Sequence, residues 1–301
     1  MSPCTIRSEV DVLPRPVRSE EGAGTAGDSA WIRPARFYGY NCLMGSLPQL
    51  VERLRLYGGA VLALSGGMDS SLLAAAAQRA GIPLLAVTAD SPLLPERERR
   101  RACEVALRLG IRHRLVEAGE WELPQVRENR ADRCYHCKKA RMHALLEISS
   151  REGLPLVMEG SQADDREEER PGLRAVEEAG ARSPLRELGM GKREIAGALR
   201  ELGLADLVRP SNSCLATRFP PDVRLNKEEL RRVDRVEEWL EERGITGPRA
   251  RWRGPRELRV EVRGEGLERL DSEPLRGEFA AFLQRAGFDG CWLEGRCLQV
   301  P

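Results

Sequence analysis

The order of apolar and polar positions divides the 301-residue chain into three parts. Up to about residue 44 there is no periodicity. Pro14, Pro16 and the Gly-rich stretch 21–27 predict a disordered extension there. Leu47, Leu50, Val51 and Leu54 then recur at helical spacing. Short apolar runs next alternate with amphipathic stretches. Residues 60–64 read as a buried strand, 70–80 as a Leu- and Ala-rich helix closed by Gly81, and 82–90 as a second strand. A helix at 96–109, a strand at 111–116, a helix from about 138 to 150 and a fourth strand at 156–160 follow. This alternation predicts an α/β fold, a parallel sheet with helices on both faces. One or two helices at 175–201 and an irregular stretch at 207–221 complete that part. The pattern then changes. Asn226 opens a helix running to 243, 248–253 and 257–263 alternate like strands, a helix spans 274–286, and 290–293 reads as a strand. The expected division is an extension at 1–44, a nucleotide-type α/β unit at 45–220 and a smaller α+β unit at 221–301.

Between the first strand and its helix lies Ser65-Gly66-Gly67-Met68-Asp69-Ser70. Paired glycines let the backbone turn tightly and approach a ligand closely. The helix that follows offers unpaired N–H groups and a partial positive charge, which favour a phosphate. No Lys followed by Ser or Thr stands at the helix start, so this is not a Walker A loop. In parallel sheets ligands collect at the carboxyl ends of strands. Thr88 and Asp90 end the second strand there, and Gly160 ends the fourth. The acidic loop after it places Asp164 and Asp165 within reach of Mg²⁺ or the nucleotide, although a solvated charge run would look the same.

Arg133-Cys134-Tyr135-His136-Cys137-Lys138 is the second informative stretch, and Cys214 sits in a proline- and polar-rich segment beyond the last sheet strand. Three thiolates suit a [4Fe–4S] cluster with one open iron. Zinc with His136, metal-free redox thiols and packed core residues are the other readings. Cys103, Cys291 and Cys297 read as structural thiols, and Cys4 and Cys42 as free thiols without a role.

Composition narrows the classes. The net charge is +1 and charged residues make up 32%, so no global field attracts nucleic acid or a membrane surface. There is no apolar run of transmembrane length and no signal-peptide pattern. Eight cysteines are too sparse for a disulfide scaffold. The expectation is a cytoplasmic enzyme.

The string at 65–70 resembles the PP-loop of the ATP pyrophosphatase superfamily. Together with Thr88-Ala-Asp-Ser-Pro-Leu-Leu-Pro95, Arg133-Cys-Tyr-His-Cys-Lys138, Gly160-Ser-Gln-Ala-Asp-Asp165, Arg170-Pro-Gly172 and Ser213-Cys-Leu-Ala-Thr-Arg-Phe-Pro220, it resembles the LarE-type sulfur transferases from about residue 47 onward. The resemblance implies that Ser65, Gly66, Gly67, Asp69, Ser70, Thr88, Asp90, Gly160 and Asp164 hold ATP, with Asp69 as partner of Mg²⁺. It implies AMP-forming activation of a carboxylate of pyridinium-3,5-biscarboxylate mononucleotide and its conversion to a thiocarboxylate. One branch of the family sacrifices the cysteine matching Cys214. The other holds a [4Fe–4S] cluster on three cysteines, here Cys134, Cys137 and Cys214, and draws on an external sulfide source. Family members form homo-oligomers. The substrate is a small anionic nucleotide, so Arg218 and the alternating pair Arg249 and Arg251 are its expected clamps, with Glu237 or Glu238 as weaker polar contacts. A tRNA-thiolating PP-loop enzyme is the main rival. The near-neutral charge and the lack of basic runs with aromatics argue against it. An ammonia-using ligase leaves the cysteines unexplained. A non-catalytic nucleotide-binding regulator leaves the intact loop unexplained.

Overall fold

A computed structural model describes residues 9–12, 46–166, 171–210, 212–262, 264–293 and 296–299. The elements are β1 (Glu9–Val12), α1 (Leu47–Arg55), β2 (Ala60–Ala63), α2 (Met68–Ala80), β3 (Leu84–Ala89), α3 (Glu96–Leu109) and β4 (Arg112–Val116). A 3-10 turn at Glu120–Glu122 leads to α4 (Pro124–Arg127), α5 (Arg133–Glu152), β5 (Val157–Met158), α6 (Gly172–Glu178), α7 (Pro184–Glu187) and α8 (Lys192–Glu201). Two more 3-10 turns, Ala205–Leu207 and Leu215–Arg218, precede α9 (Lys227–Glu242). The last part holds β6 (Arg249–Gly254), β7 (Glu257–Glu261), α10 (Glu265–Asp271), α11 (Leu275–Arg285), β8 (Gly290–Leu293) and β9 (Arg296–Gln299).

The first sheet runs β1-β4-β3-β2-β5, with β2 to β5 parallel and β1 antiparallel on the edge. Strand alternation sorts its side chains to two faces. Ala60 and Leu62 of β2 join the core under α1, α2, α3 and α8, whereas Val61 joins Met142, Leu145 and Ile148 of α5. The helix α2 is buried nearly all round, from Ser70 to Ala77, which suits its Ala-rich sequence. Each fully buried Leu or Val on these faces contributes roughly 1.5–3 kcal/mol. The α/β sheet expected from the alternation is therefore present.

The second sheet runs β6-β7-β8-β9 and packs against α9 and α11. Its core also takes in Leu93, Trp121, Val126, Leu215 and Phe219 from the preceding part of the chain. Asn226 caps α9, its side chain accepting from Glu228 N–H at 2.8 Å.

Several elements differ from the sequence reading. β1 falls within the segment expected to be an extension; the rest of 1–44 lies outside the described residues. β5 has two residues, not five. After Met158 the chain leaves the ladder, as Glu159 N–H donates to Arg182 O and the Glu159 carboxylate turns back to Ser161 N–H. The helix α5 starts at Arg133, ahead of the apolar periodicity; its first turns carry Cys and polar groups, with no fully buried residue before Ala140. α10 and β9 were not expected.

Candidate active site

β2 delivers the chain into a tight loop. Ser65 N–H donates to Ser70 Oγ at 3.2 Å, Gly67 N–H to Ser65 Oγ at 3.3 Å, and Ser70 Oγ–H to Gly67 O at 3.1 Å. Gly66 has φ of 74°, a left-handed conformation that favours glycine. A Cβ there would stand 2.7 Å from Ala102 N of α3. From the other side Gly160 lies against the start of α2, where a Cβ would come within 3.1 Å of Ser70 N. Gly67 is the N-cap of α2, so the first N–H groups of that helix open toward a ligand.

Ser65, Gly66, Gly67, Asp69, Ser70, Thr88 and Gly160 line one cleft of about 1250 Å³. The same cleft is lined by Cys214, Arg249 and Arg251. The glycine loop, Cys214 and the arginine pair thus share one cavity. Arg249 and Arg251 stand on one face of β6, with Ala250 buried on the other. Arg251 donates to Thr217 O at 2.8 Å and pairs with Glu261 at 3.1 Å. Burial, with Arg218 nearby, pulls the Arg249 pKa down, so its charge is only partly compensated.

The hydrogen bonds of Thr88 and the positions of the acidic residues add detail. The Thr88 hydroxyl donates to Leu64 O at 2.6 Å and meets His113 Nε2 at 2.8 Å. With its proton committed, Thr88 can only accept from His113, which makes His113 the Nε2–H tautomer. Burial pushes His113 down to about 4, and it is neutral. Asp90 lies at the strand end, and its carboxyl is pushed up, chiefly by burial. Asp164 is exposed and accepts from Lys192 N–H at 2.8 Å, so it caps α8 and does not line the cleft. Asp165 accepts from Gln162 N–H at 3.2 Å.

Arg218 departs most from expectation. It is 1% exposed, and its guanidinium turns inward. Nε and NH2 donate to the two Glu237 oxygens, both at 2.9 Å. The remaining donors go to Ser213 O, Ser213 Oγ, Cys214 O, Thr217 Oγ1 and Asn212 Oδ1, between 2.7 and 3.0 Å. A guanidinium so occupied holds the Cys214 segment and is not a substrate clamp. Glu237 is fully buried and likewise meets protein partners. Glu238 pairs with Arg100 on the outer side. Asn129, absent from the sequence reading, reaches the same segment, its amide donating to Pro220 O at 2.7 Å and Phe219 O at 3.3 Å.

Cys134, Cys137 and Cys214 lie within electrostatic reach of one another. Burial pushes Cys137 up to about 11, opposed by Arg141 and assisted by Glu120 and the neighbouring thiols. Cys134 is also raised, first by burial, with Cys214 adding to it. Among the described residues, no group of three or more His, Cys, Asp and Glu is set to hold a metal ion. The thiol donor set suits an iron–sulfur cluster chemically, but the three thiols are not arranged as a ready ligand cage. His136 faces Asp132 at 3.1 Å and is no fourth ligand partner here. Only Cys214 of the three lines the cleft.

The sequence reading missed the cationic wall of the cleft, formed by Arg101, Lys138 and Arg141. Lys138 donates to Glu159 at 3.2 Å and Arg141 to the buried Glu120 at 2.9 Å. Burial pulls the Arg141 pKa down, but Cys137, when ionised, and the buried Glu120 carboxylate outweigh it and raise it. Helical spacing gave the available signal: Cys134, Cys137, Lys138 and Arg141 are three, four and seven residues apart and share a face of α5.

Among the described residues no helix is long and apolar enough to cross a membrane. A family model described as asparagine synthase matches residues 51–142. An uncharacterised protein of Synechocystis sp. is 35% identical over 248 residues, 80% of this chain and 92% of that one. An uncharacterised protein of Methanocaldococcus jannaschii is 29% identical over 180 residues, 60% of this chain and 68% of that one. The pyridinium-3,5-bisthiocarboxylic acid mononucleotide synthase of Lactiplantibacillus plantarum is 30% identical over 205 residues, 67% of this chain and 74% of that one.

Proposed function

This chain belongs to the LarE-type family of PP-loop enzymes, and from that membership we propose that it is an ATP-dependent, AMP-forming sulfur transferase. Its acceptor is a carboxylate of pyridinium-3,5-biscarboxylate mononucleotide, which it converts to a thiocarboxylate in nickel-pincer cofactor synthesis. The observation that carries this reading is the single cleft lined by the loop at 65–70, Cys214 and the Arg249–Arg251 face.

The steps follow from the chemistry of those groups. The loop and the N-terminus of α2 cradle the β- and γ-phosphates of ATP, with Asp69 the partner of Mg²⁺. A substrate carboxylate oxygen attacks the α-phosphorus, and pyrophosphate leaves. Donors around that leaving group stabilise charge that grows in the transition state. The resulting acyl-adenylate has a good leaving group where the carboxylate had none. A sulfur nucleophile on the Cys214 side attacks the acyl carbon, and AMP departs. Arg249 and Arg251 hold the phosphate or second carboxylate of the substrate, Arg249 with the less compensated charge.

A [4Fe–4S] cluster held by Cys134, Cys137 and Cys214 would supply an exchangeable sulfide, renewed from an external source. A second reading has a specific support: Cys214 alone of the three lines the cleft, which suits a cysteine that gives up its own sulfur. Anaerobic purification with iron, sulfide and zinc assays, on the wild type and Cys214→Ala, separates the two. About four irons per chain, lost in the variant, are expected for the cluster. Iron-free, active protein that loses the elements of H₂S from Cys214 in one turnover would overturn it.

A further inference from the structure

We propose that Glu237 is the positioning residue that sets where Cys214 stands relative to the phosphate loop and the arginine face. Its carboxylate is fully buried on α9. Four donors from three separate elements converge on it. Oε2 accepts from Arg97 NH2 of α3 at 2.5 Å and from Arg218 NH2 at 2.9 Å. Oε1 accepts from Arg218 Nε at 2.9 Å and from the Ala250 N–H of β6 at 2.9 Å.

Each of these elements carries a different part of the site. The helix α3 backs the loop, where Ala102 N faces Gly66, and Arg101 on it lines the cleft. Ala250 stands between Arg249 and Arg251. Arg218 is the hinge pin of the Cys214 segment, through the carbonyls of Ser213 and Cys214 and the side chains of Asn212 and Thr217. A two-oxygen carboxylate fixes the planar Arg218 fork in direction as well as in place. No neutral side chain can do this for two guanidinium groups at once. Glu237 does not line the cleft, so it acts through Arg218 and Ala250 and not on the substrate.

The proposal depends on the sulfur-transfer reading only for what Cys214 does; the placement of the loop is independent of it. Hydrogen exchange by mass spectrometry on the full chain reads that placement directly. The amides of Leu215, Thr217 and Phe219 are bonded to Leu93 O, Cys214 O and Ala216 O. Glu237→Gln is expected to speed exchange in 212–219 by about tenfold or more, with exchange in α2 unchanged. Affinity for α,β-methylene-ATP with Mg²⁺ should stay within about twofold, because the loop keeps its own hydrogen bonds. Arg97→Gln, which leaves Arg218 in place, should change 212–219 far less. Arg218→Lys serves if the first variant does not fold, and should loosen the same segment. Equal exchange in 212–219 for wild type and both variants of the Glu237–Arg218 pair would overturn the proposal. So would equal loosening of α2 and 212–219, which would mark the pair as merely structural. In turnover, pyrophosphate release should persist while thiocarboxylate formation falls about tenfold or more. Loss of pyrophosphate release in the wild type would instead refute the functional reading and leave the exchange result standing.

Discussion

Gly66→Ala tests the account of the phosphate loop against a neighbour that differs by one position. Gly66 is left-handed with φ of 74°, and an added Cβ would meet the α3 backbone at Ala102 N, 2.7 Å away. The left-handed conformation costs a residue with a Cβ about 1–2 kcal/mol. Overpacking against backbone, which cannot rotate aside, adds about 1–3 kcal/mol. The sum is about 2–5 kcal/mol, a large share of a typical stability of about 5–15 kcal/mol. Gly67 has φ of −77°, and its Cβ would meet only Ser65 Oγ, at 3.4 Å. Gly67→Ala therefore costs only the cap preference, about 0.5–1 kcal/mol. At about 1.5–2 °C per kcal/mol for a chain of this size, Gly66→Ala should lower Tm by about 3–10 °C and Gly67→Ala by about 1–2 °C. The assay is thermal unfolding without nucleotide, so that stability is read apart from ligand contacts. Equal shifts for the two variants, or a larger one for Gly67→Ala, would refute the argument from φ and close approach.

Two buried groups give opposite acid dependence. His113, pushed from 6.5 to about 4, binds its proton more readily when unfolded. Its stability is present above pH 6.5 and is lost as pH falls toward 4, by up to about 3 kcal/mol. Asp234, pushed from 3.8 to about 6 chiefly by burial, does the reverse: its stability is present below pH 3.8 and is lost as pH rises through 6. Asp234→Asn should thus stabilise at pH 7 by up to about 3 kcal/mol and leave pH 4 unchanged in urea titrations; destabilisation at pH 7 would count against it. Arg249→Ala should raise the KM of the anionic substrate about 10- to 100-fold with little change in ATP affinity, which steady-state kinetics checks. Arg141→Gln strands the Glu120 carboxylate, 1% exposed, and should cost about 3 kcal/mol, most of it recovered in Arg141→Gln with Glu120→Gln in a thermal double-mutant cycle.

Local signals carried much of the fold. The helix α2 and its Gly81 cap, the strands β2 to β4 and the Asn226 cap all lie where apolar spacing and capping residues place them. The loop at 65–70 leads from β2 into α2 for the same reason, since its turn depends on consecutive residues. What failed depended on distance. β1 pairs with β4 across about a hundred residues, and nothing in its four residues announces that partner. Arg218 looked like a ligand clamp because an arginine beside a candidate cysteine carries the same letters whether it faces the cleft or Glu237, 19 residues on. Asp164 looked within reach of Mg²⁺ or the nucleotide, but its carboxylate accepts from Lys192 N–H at the start of α8, 28 residues on. Arg141 went unnoticed because its partner, Glu120, sits 21 residues upstream.

The central claim is that one cleft couples ATP cleavage at the α-phosphate to sulfur insertion at a carboxylate. The direct measurement is mass spectrometry of an anaerobic reaction holding the enzyme, ATP, Mg²⁺, sulfide and pyridinium-3,5-biscarboxylate mononucleotide, beside the same reaction with Cys214→Ala. The account predicts equimolar AMP and pyrophosphate, with a product in which sulfur replaces a carboxylate oxygen. In the variant, AMP transfer should persist and the sulfur product should vanish. ADP and phosphate as products, or undiminished sulfur insertion without Cys214, would contradict it.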